Sequence, residues 1–238
     1  MTKSLVIAVD GPAGAGKSTA ARGVARALGL RYLDTGAMYR ALTWWLLSRG
    51  LDTADPETVA RHAKEPAIEV GTDPNAPVVT VDGVDVSGPI RTREVSNAVS
   101  AVASVPQVRE HLIAMQRKII ARNARPGSGI VAEGRDIGTV VAPQAEVKVF
   151  LTASEDARAH RRSADLAVDP AATEAVTRRE QLHRDRADAP QTVMAADAVE
   201  IDSTSLSADK VVSLIAGMAR ERAGFTGRGQ QTDAARAG

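Results

Sequence analysis

"VDGPAGAGKSTAARGVARALG", Val9–Gly29, is the stretch that decides the fold. It leaves a short apolar run, Ser4–Asp10, passes through G-x-x-x-x-G-K-S over Gly11–Ser18, and continues with Ala20, Val24, Ala27 and Leu28 on one helical face before Gly29 stops the helix. Gly11, Gly14 and Gly16 let the backbone turn so that its N–H groups point inward, and the helix that follows aims its positive end at the same spot. Such a loop holds the phosphates of a nucleoside triphosphate. Gly11, Pro12, Ala13, Gly14, Ala15 and Gly16 supply the cradle, Lys17 reaches the β and γ phosphates, Ser18 offers its hydroxyl to Mg²⁺, and Thr19 bonds a further phosphate oxygen.

Working outward, four more apolar segments read as buried parallel strands: Leu30–Leu33, Ile130–Glu133, Val147–Leu151 and Val199–Ile201. Helical patterns separate them, so the expected fold is α/β, a five-stranded parallel sheet with flanking helices. Met38, Ala41, Leu42, Trp45 and Leu46 form one helical stripe, which makes Trp45 a core residue, and Val108, Leu112, Met115 and Ile119 form another. Asp55-Pro56 reads as an N-cap with proline in the first turn. The exception is 67–86, where apolar residues alternate at Ile68 and Val70, Val79 and Val81, and Val84 and Val86 around an Asp82-Gly83 turn. This is a small antiparallel insertion at the rim. The expected organisation is one domain over 1–223, with core segments 1–66, 87–157 and 188–223, the insertion at 67–86, a mobile lid over 158–187, and a disordered polar tail at 224–238.

The 238 residues, 44% of them hydrophobic, suffice for a packed core. No run approaches the roughly 18 apolar residues of a membrane span, and the start of the chain runs into the phosphate loop, so a cytoplasmic protein with no membrane partner is expected. With no cysteine there is no disulfide, thiolate metal site or cysteine nucleophile; four histidines leave only a non-thiolate metal site open. A formal charge of +1 gives no global field for nucleic acid, and 3% aromatics offer little for base stacking.

The loop alone does not choose between switch, motor and kinase. A guanine-reading N-K-x-D is missing around Asn75, Asn97 and Asn123. A kinase for a phosphorylated acceptor must bring two anions together, and in a largely dissociative phosphoryl transfer positioning and charge supply most of the catalysis. Arginines beyond strand ends are therefore the signal. "LDTGAMYR", Leu33–Arg40, offers Thr35, Tyr39 and Arg40; "AEGRDIGTVV", Ala132–Val141, offers Arg135 and Asp136. "EDARAHRR" and "RREQLHRDRAD" add Arg158, Arg161, Arg162, Arg178, Arg179, Arg184 and Arg186. Glu155, Asp156, Glu180, Asp185 and Asp188 lie among these, so an ordinary helix face with i,i+4 ion pairs is the competing reading.

Taken together, "DGPAGAGKST", "DTGAMYR", "DVSGPIRTREVSNAVSAVASVPQVRE", "EGRDIGTVV", "RAHRR" and the "DST" of "EIDSTSLSADKV" closely resemble the bacterial cytidylate kinases, of the nucleoside monophosphate kinase group, from the first strand to the last helix. The resemblance implies ATP and Mg²⁺ as donor and cofactor, CMP and dCMP as acceptors, and a hairpin insertion that enlarges the acceptor region. It implies that Arg40, Arg135 and Arg186 hold the acceptor phosphate, that Ser100, Arg109 and Asp136 face cytosine, that Arg179 contacts ribose, and that Arg158 and Arg162 touch the transferring group. The family places an aspartate where this chain has His183, and an imidazole cannot supply two carboxylate acceptors to ribose. Asp185 is the available substitute. A monomer with no stable nucleic-acid partner is expected. Kinases for UMP, AMP or an alcohol, and an RNA binder built on 158–186, are the alternatives.

Overall fold

A computed structural model describes residues 4–165 and 174–223; the side chains of 162–165, 174–177, 181 and 223 fall outside the description. The tail expected at 224–238 and the centre of the segment expected as a lid, 166–173, also lie outside it.

The chain begins with β1 (Leu5–Asp10), the phosphate loop, α1 (Lys17–Leu28), β2 (Arg31–Asp34), α2 (Thr35–Ser48) and α3 (Pro56–His62). Three short strands follow, β3 (Ile68–Val70), β4 (Val79–Val81) and β5 (Val84–Asp85), and then α4 (Arg93–Ser104) and α5 (Pro106–Asn123). β6 (Gly129–Glu133) leads into a π-helical turn at Ile137–Val141, and β7 (Val147–Thr152) into α6 (Glu155–Asp165) and α7 (Glu174–Asp188). β8 (Val199–Asp202) and α8 (Ala208–Ala223) complete the described chain. The five long-range strands lie in the order β2-β6-β1-β7-β8, and every pairing is parallel. The phosphate loop thus leaves the central strand, and the turn after β6 leaves its neighbour.

Side chains along β1 alternate between two cores. Val6 and Ala8 join Leu33, Ile130 and Ala132 against α2, α4 and α5, whereas Leu5, Ile7 and Val9 join Val131, Val149 and Leu151 against α1 and α8. Burial on both faces explains why the strands read as continuous apolar runs.

Two stripes differ from their expected positions. On α1 the buried set is Ala20, Ala21, Val24, Ala25 and Leu28, and Ala27 is exposed because the stripe centres one residue further round. On α5, Val108 and Leu112 are buried as expected, but Gln116 and Ile120 face the core and Met115 and Ile119 sit half-buried at its margin. Gly29 closes α1 at φ 65°, and the Asp55 carboxylate accepts from the Glu57 and Thr58 N–H groups at the start of α3.

The insertion is a three-stranded antiparallel sheet, β3-β4-β5. Asp82 and Gly83 both take positive φ, as the hairpin turn requires, and Asp82 accepts from the Ala67 N–H and from Trp45 Nε1. Val86 is buried, but Val84 is 57% exposed, because β5 is a two-residue edge strand with nothing packed over it.

Leu112 is completely buried. Leu112→Ala is expected to lower the unfolding free energy by about 2–5 kcal/mol, whereas Val84→Ala should stay within about 0.5 kcal/mol, both read from urea unfolding at constant m-value.

Candidate active site

The loop from Gly11 to Gly16 connects β1 to α1 at the carboxyl end of the sheet. Gly11 has φ 142°, and a Cβ there would lie 2.1 Å from the Leu151 carbonyl oxygen, so only glycine lets the loop pass this close to β7. The Lys17 ammonium donates to the Pro12 carbonyl at 2.7 Å, folding back across the loop it serves. Its pKa is pushed down by burial and by Arg135. Thr19 is exposed.

Ser18 Oγ donates to Glu133 Oε2 at 2.9 Å. Glu133, the last residue of β6, also receives the Tyr32 hydroxyl, and its backbone carbonyl accepts from Thr35 Oγ1 at 2.6 Å. Burial raises the Glu133 pKa, Asp34 adds to the rise, and Lys17 opposes it. A hydroxyl and a carboxylate held side by side below a phosphate loop are hard oxygen donors that fit Mg²⁺. Glu133 is the candidate that motif reading misses; the available signal is its place at the end of the strand beside β1.

The expected acceptor residues come from α2, α4, α5, the turn after β6, and α7. Arg40, on α2, donates to Asp34 Oδ2 at 2.9 Å, and its Nε is buried with no partner among the described residues. Arg109, on α5, pairs with Asp136 of the turn after β6, and with neither Glu110 nor Glu133. Tyr39 lies between them in charge: burial pushes its hydroxyl up to about 12, with Arg109 opposing and Asp136 reinforcing the shift. Ser100, on α4, is buried, and its hydroxyl has no partner among the described residues. Thr35 is committed to the Glu133 carbonyl.

Arg135 joins the two halves of the cleft. Its Nη1 donates to the Gly11 carbonyl at 2.7 Å, and its Nε and Nη2 donate to Asp188 Oδ2 at 3.2 and 3.0 Å. Arg158, buried on α6, repeats the arrangement: Nη1 lies 3.1 Å from the Ala13 carbonyl and 2.6 Å from Asp185 Oδ2. Arg161 grips Ser203, whose hydroxyl lies 3.1 Å from the Ala15 carbonyl.

Among the described residues four acids of α6 and α7 pair across elements. Asp156 pairs with Arg178, Glu180 with Arg93, Asp185 with Arg158 and Asp188 with Arg135. Asp185, the expected substitute beside His183, is the partner of Arg158. Arg179, His183 and Arg186 are exposed on α7; Arg186 precedes Asp188 by two residues, which sets it near the Arg135 pair in sequence without a described contact. The Arg162 side chain lies outside the described residues. Among the described residues no three His, Cys, Asp or Glu side chains gather as a metal cluster, and no helix is long and apolar enough to cross a membrane.

A small cavity lined by Tyr32, Asp34, Val79, Ser87 and Arg91 separates the insertion from the end of β2. The insertion thus borders Asp34 and, through it, Arg40.

The family model for cytidylate kinases matches residues 7–221. The chain belongs to the cytidylate kinase family. A cytidylate kinase of Streptomyces griseus subsp. griseus is 52% identical over 214 residues, covering 89% of this chain and 91% of that protein. Another, from Streptomyces coelicolor, is 52% identical over 221 residues, covering 92% and 94%. A crystal structure of an uncharacterized protein from Eubacterium ventriosum superposes with a TM-score of 0.50 at 12% identity, covering 92% of this chain and all of that one, which is a likeness of fold alone. Membership of a P-loop kinase family agrees with the parallel sheet and with the loop leaving its central strand.

Tyr32 is fully buried, and its hydroxyl is one of two side-chain donors to the Glu133 carboxylate. Tyr32→Phe leaves a buried carboxylate oxygen short of a donor and is expected to destabilise the fold by about 1–3 kcal/mol, measured by urea unfolding.

Proposed function

We propose that the chain transfers the γ-phosphoryl group of ATP to CMP and to dCMP, releasing ADP and the corresponding diphosphate. The observation that carries this reading is the Arg135 side chain, which touches the first carbonyl of the donor loop and projects from the same turn as Asp136. One residue spans the donor cradle and the acceptor turn.

Loop N–H groups and Lys17 bind the β and γ phosphates. Ser18 and Glu133 hold Mg²⁺, which when bound neutralises charge on the triphosphate. Arg40, Arg135 and Arg186 bind the acceptor phosphate, whose oxygen forms the new bond to the γ phosphorus as the bond to the bridging oxygen of ADP breaks. The arriving phosphate exchanges with carboxylates already on these arginines, Asp34 on Arg40 and Asp188 on Arg135, so the site replaces one anion by another. Arg158 is the lid arginine nearest the loop, with Arg162 on the same helix, and the α6–α7 segment closes over the donor to keep water from acting as acceptor.

Cytosine offers an acceptor at N3 and a donor at N4, and uracil the reverse. Arg109 facing N3, with Asp136 and Ser100 facing N4, distinguishes them. Ser100 supports this reading, because a buried hydroxyl with no internal partner suits a ligand that supplies one. Uracil would leave buried groups unpaired at about 1–3 kcal/mol each. Arg179 and His183 face the ribose, and a single imidazole contact discriminates weakly between ribose and deoxyribose. Under the same proposal the protein is a monomer that works in the cytoplasm.

With ATP and Mg²⁺, ADP release is expected with CMP and dCMP, their kcat/KM values within about tenfold of each other, and far less with UMP, AMP or GMP. Equal turnover of CMP and UMP would remove the base assignment. Lys17→Ala should lower kcat on the order of 10²–10³-fold with the fold intact by circular dichroism. Arg109→Ala should reduce kcat/KM for CMP much more than for UMP; parallel losses would take Arg109 out of base reading.

A further inference from the structure

Asp10 has no part in the machinery above, yet it is the residue between the central strand and the loop. It is a buried acid, 5% exposed, and both carboxylate oxygens are used: Oδ1 accepts from the Ile137 N–H at 2.8 Å and Oδ2 from the Gly138 N–H at 2.7 Å. Those two N–H groups open the π-helical turn that follows Arg135 and Asp136. The far end of the turn is held too, because Arg117 donates to the Val140 and Val141 carbonyls. At Gly138 a Cβ would lie 3.2 Å from Lys148 Cδ and 3.4 Å from Asp10 Oδ2, so the backbone sits close against the carboxylate.

We infer that Asp10 is a positioning residue: its carboxylate fixes the turn that presents Arg135 and Asp136, and thereby sets the acceptor pocket at a fixed distance from the phosphate loop. The donor side begins at the next residue, Gly11, whose carbonyl receives Arg135. A chain of contacts therefore runs from the Asp10 carboxylate to the Ile137 and Gly138 amides, back along two residues to Arg135, and from its guanidinium to Gly11. The loop closes on itself within the cleft. Nothing in this circuit needs Asp10 to touch substrate. A carboxylate is suited to the position because it accepts at both oxygens; asparagine accepts at one and presents a donor at the other, where it meets a backbone N–H. Displacement of the turn by a fraction of an ångström moves Asp136 and Arg135 together, and a misplacement of about 1 Å costs on the order of 10²-fold in reactions that depend on positioning.

The inference rests on the acceptor reading of the preceding subsection, and one measurement is independent of it. In the wild-type protein without substrate, the Ile137 and Gly138 amides should exchange with solvent slowly, as protected amides do, and Asp10→Asn should speed one or both by at least about tenfold. Exchange at the rate of open amides in the wild type would overturn the inference whatever the acceptor proves to be. In kinetics, Asp10→Asn should raise KM for CMP about tenfold, narrow the CMP-to-UMP ratio of kcat/KM, and leave KM for ATP within about twofold. If the variant loses thermal stability while KM for CMP and the base ratio stay at wild-type values, Asp10 is structural only and the inference falls. If wild-type CMP turnover is itself missing, the acceptor reading fails, and the exchange data still decide whether Asp10 holds the turn.

Discussion

An enzyme that joins two anions needs concentrated positive charge, and concentrated positive charge in a half-buried cleft opposes the fold that makes it. Here four cleft arginines are each matched to an aspartate: Arg40 to Asp34, Arg109 to Asp136, Arg135 to Asp188, and Arg158 to Asp185. Leaving a buried charge without its partner costs about 3–5 kcal/mol, so four unmatched guanidinium groups would cost as much as a domain's whole stability. The net charge of +1 is the same balance seen over the entire chain. Charge matching is thus a condition of folding first and a feature of the site second.

The backbone half of the site was readable because it depends on local sequence. An apolar run, a spacing of glycines and a lysine beside a hydroxyl are all neighbours in the chain, and β1, the loop and α1 appear where that pattern puts them. The other strands were readable for the same reason, since parallel strands buried on both faces need continuous apolar runs. The resemblance to cytidylate kinases added the acceptor residues, several of which the fold gathers at the mouth of the sheet. What could not be read was the set of partners. Arg135 and Asp188 are 53 positions apart, and Arg158 and Asp185 are 27 apart. No periodicity encodes such pairs. Local reasoning could therefore offer these acids only i,i+4 neighbours, as the reading that competed with a role for the arginines. Glu133 was missed for a milder reason: its role follows from the strand order β6-β1, which exists only once the sheet is assembled.

Two of the four aspartates lie on α7, and this gives the helix its place in the mechanism. Asp185 and Asp188 reach arginines that also donate to the loop carbonyls of Ala13 and Gly11. Helix α7 is thereby tied to the phosphate loop through Arg158 and Arg135, with no apolar seal required between them. A charged tether suits the proposed lid, because its parts are stable in water when separated, whereas an apolar contact would leave exposed surface whenever such a lid opened.

The same pairing bears on how binding energy is used. If the arginines were unpaired and waiting, the acceptor phosphate would be held too strongly in the ground state, and tight ground-state binding contributes nothing to the chemical step. With a carboxylate already in place, phosphate binding is an exchange of one hydrogen-bonded anion for another and gains only the difference. On the proposed reading the cost of displacing the carboxylates is carried by the bound substrate and the transition state alike, so they weaken binding and ease release of the diphosphate while leaving the barrier from the bound state unchanged.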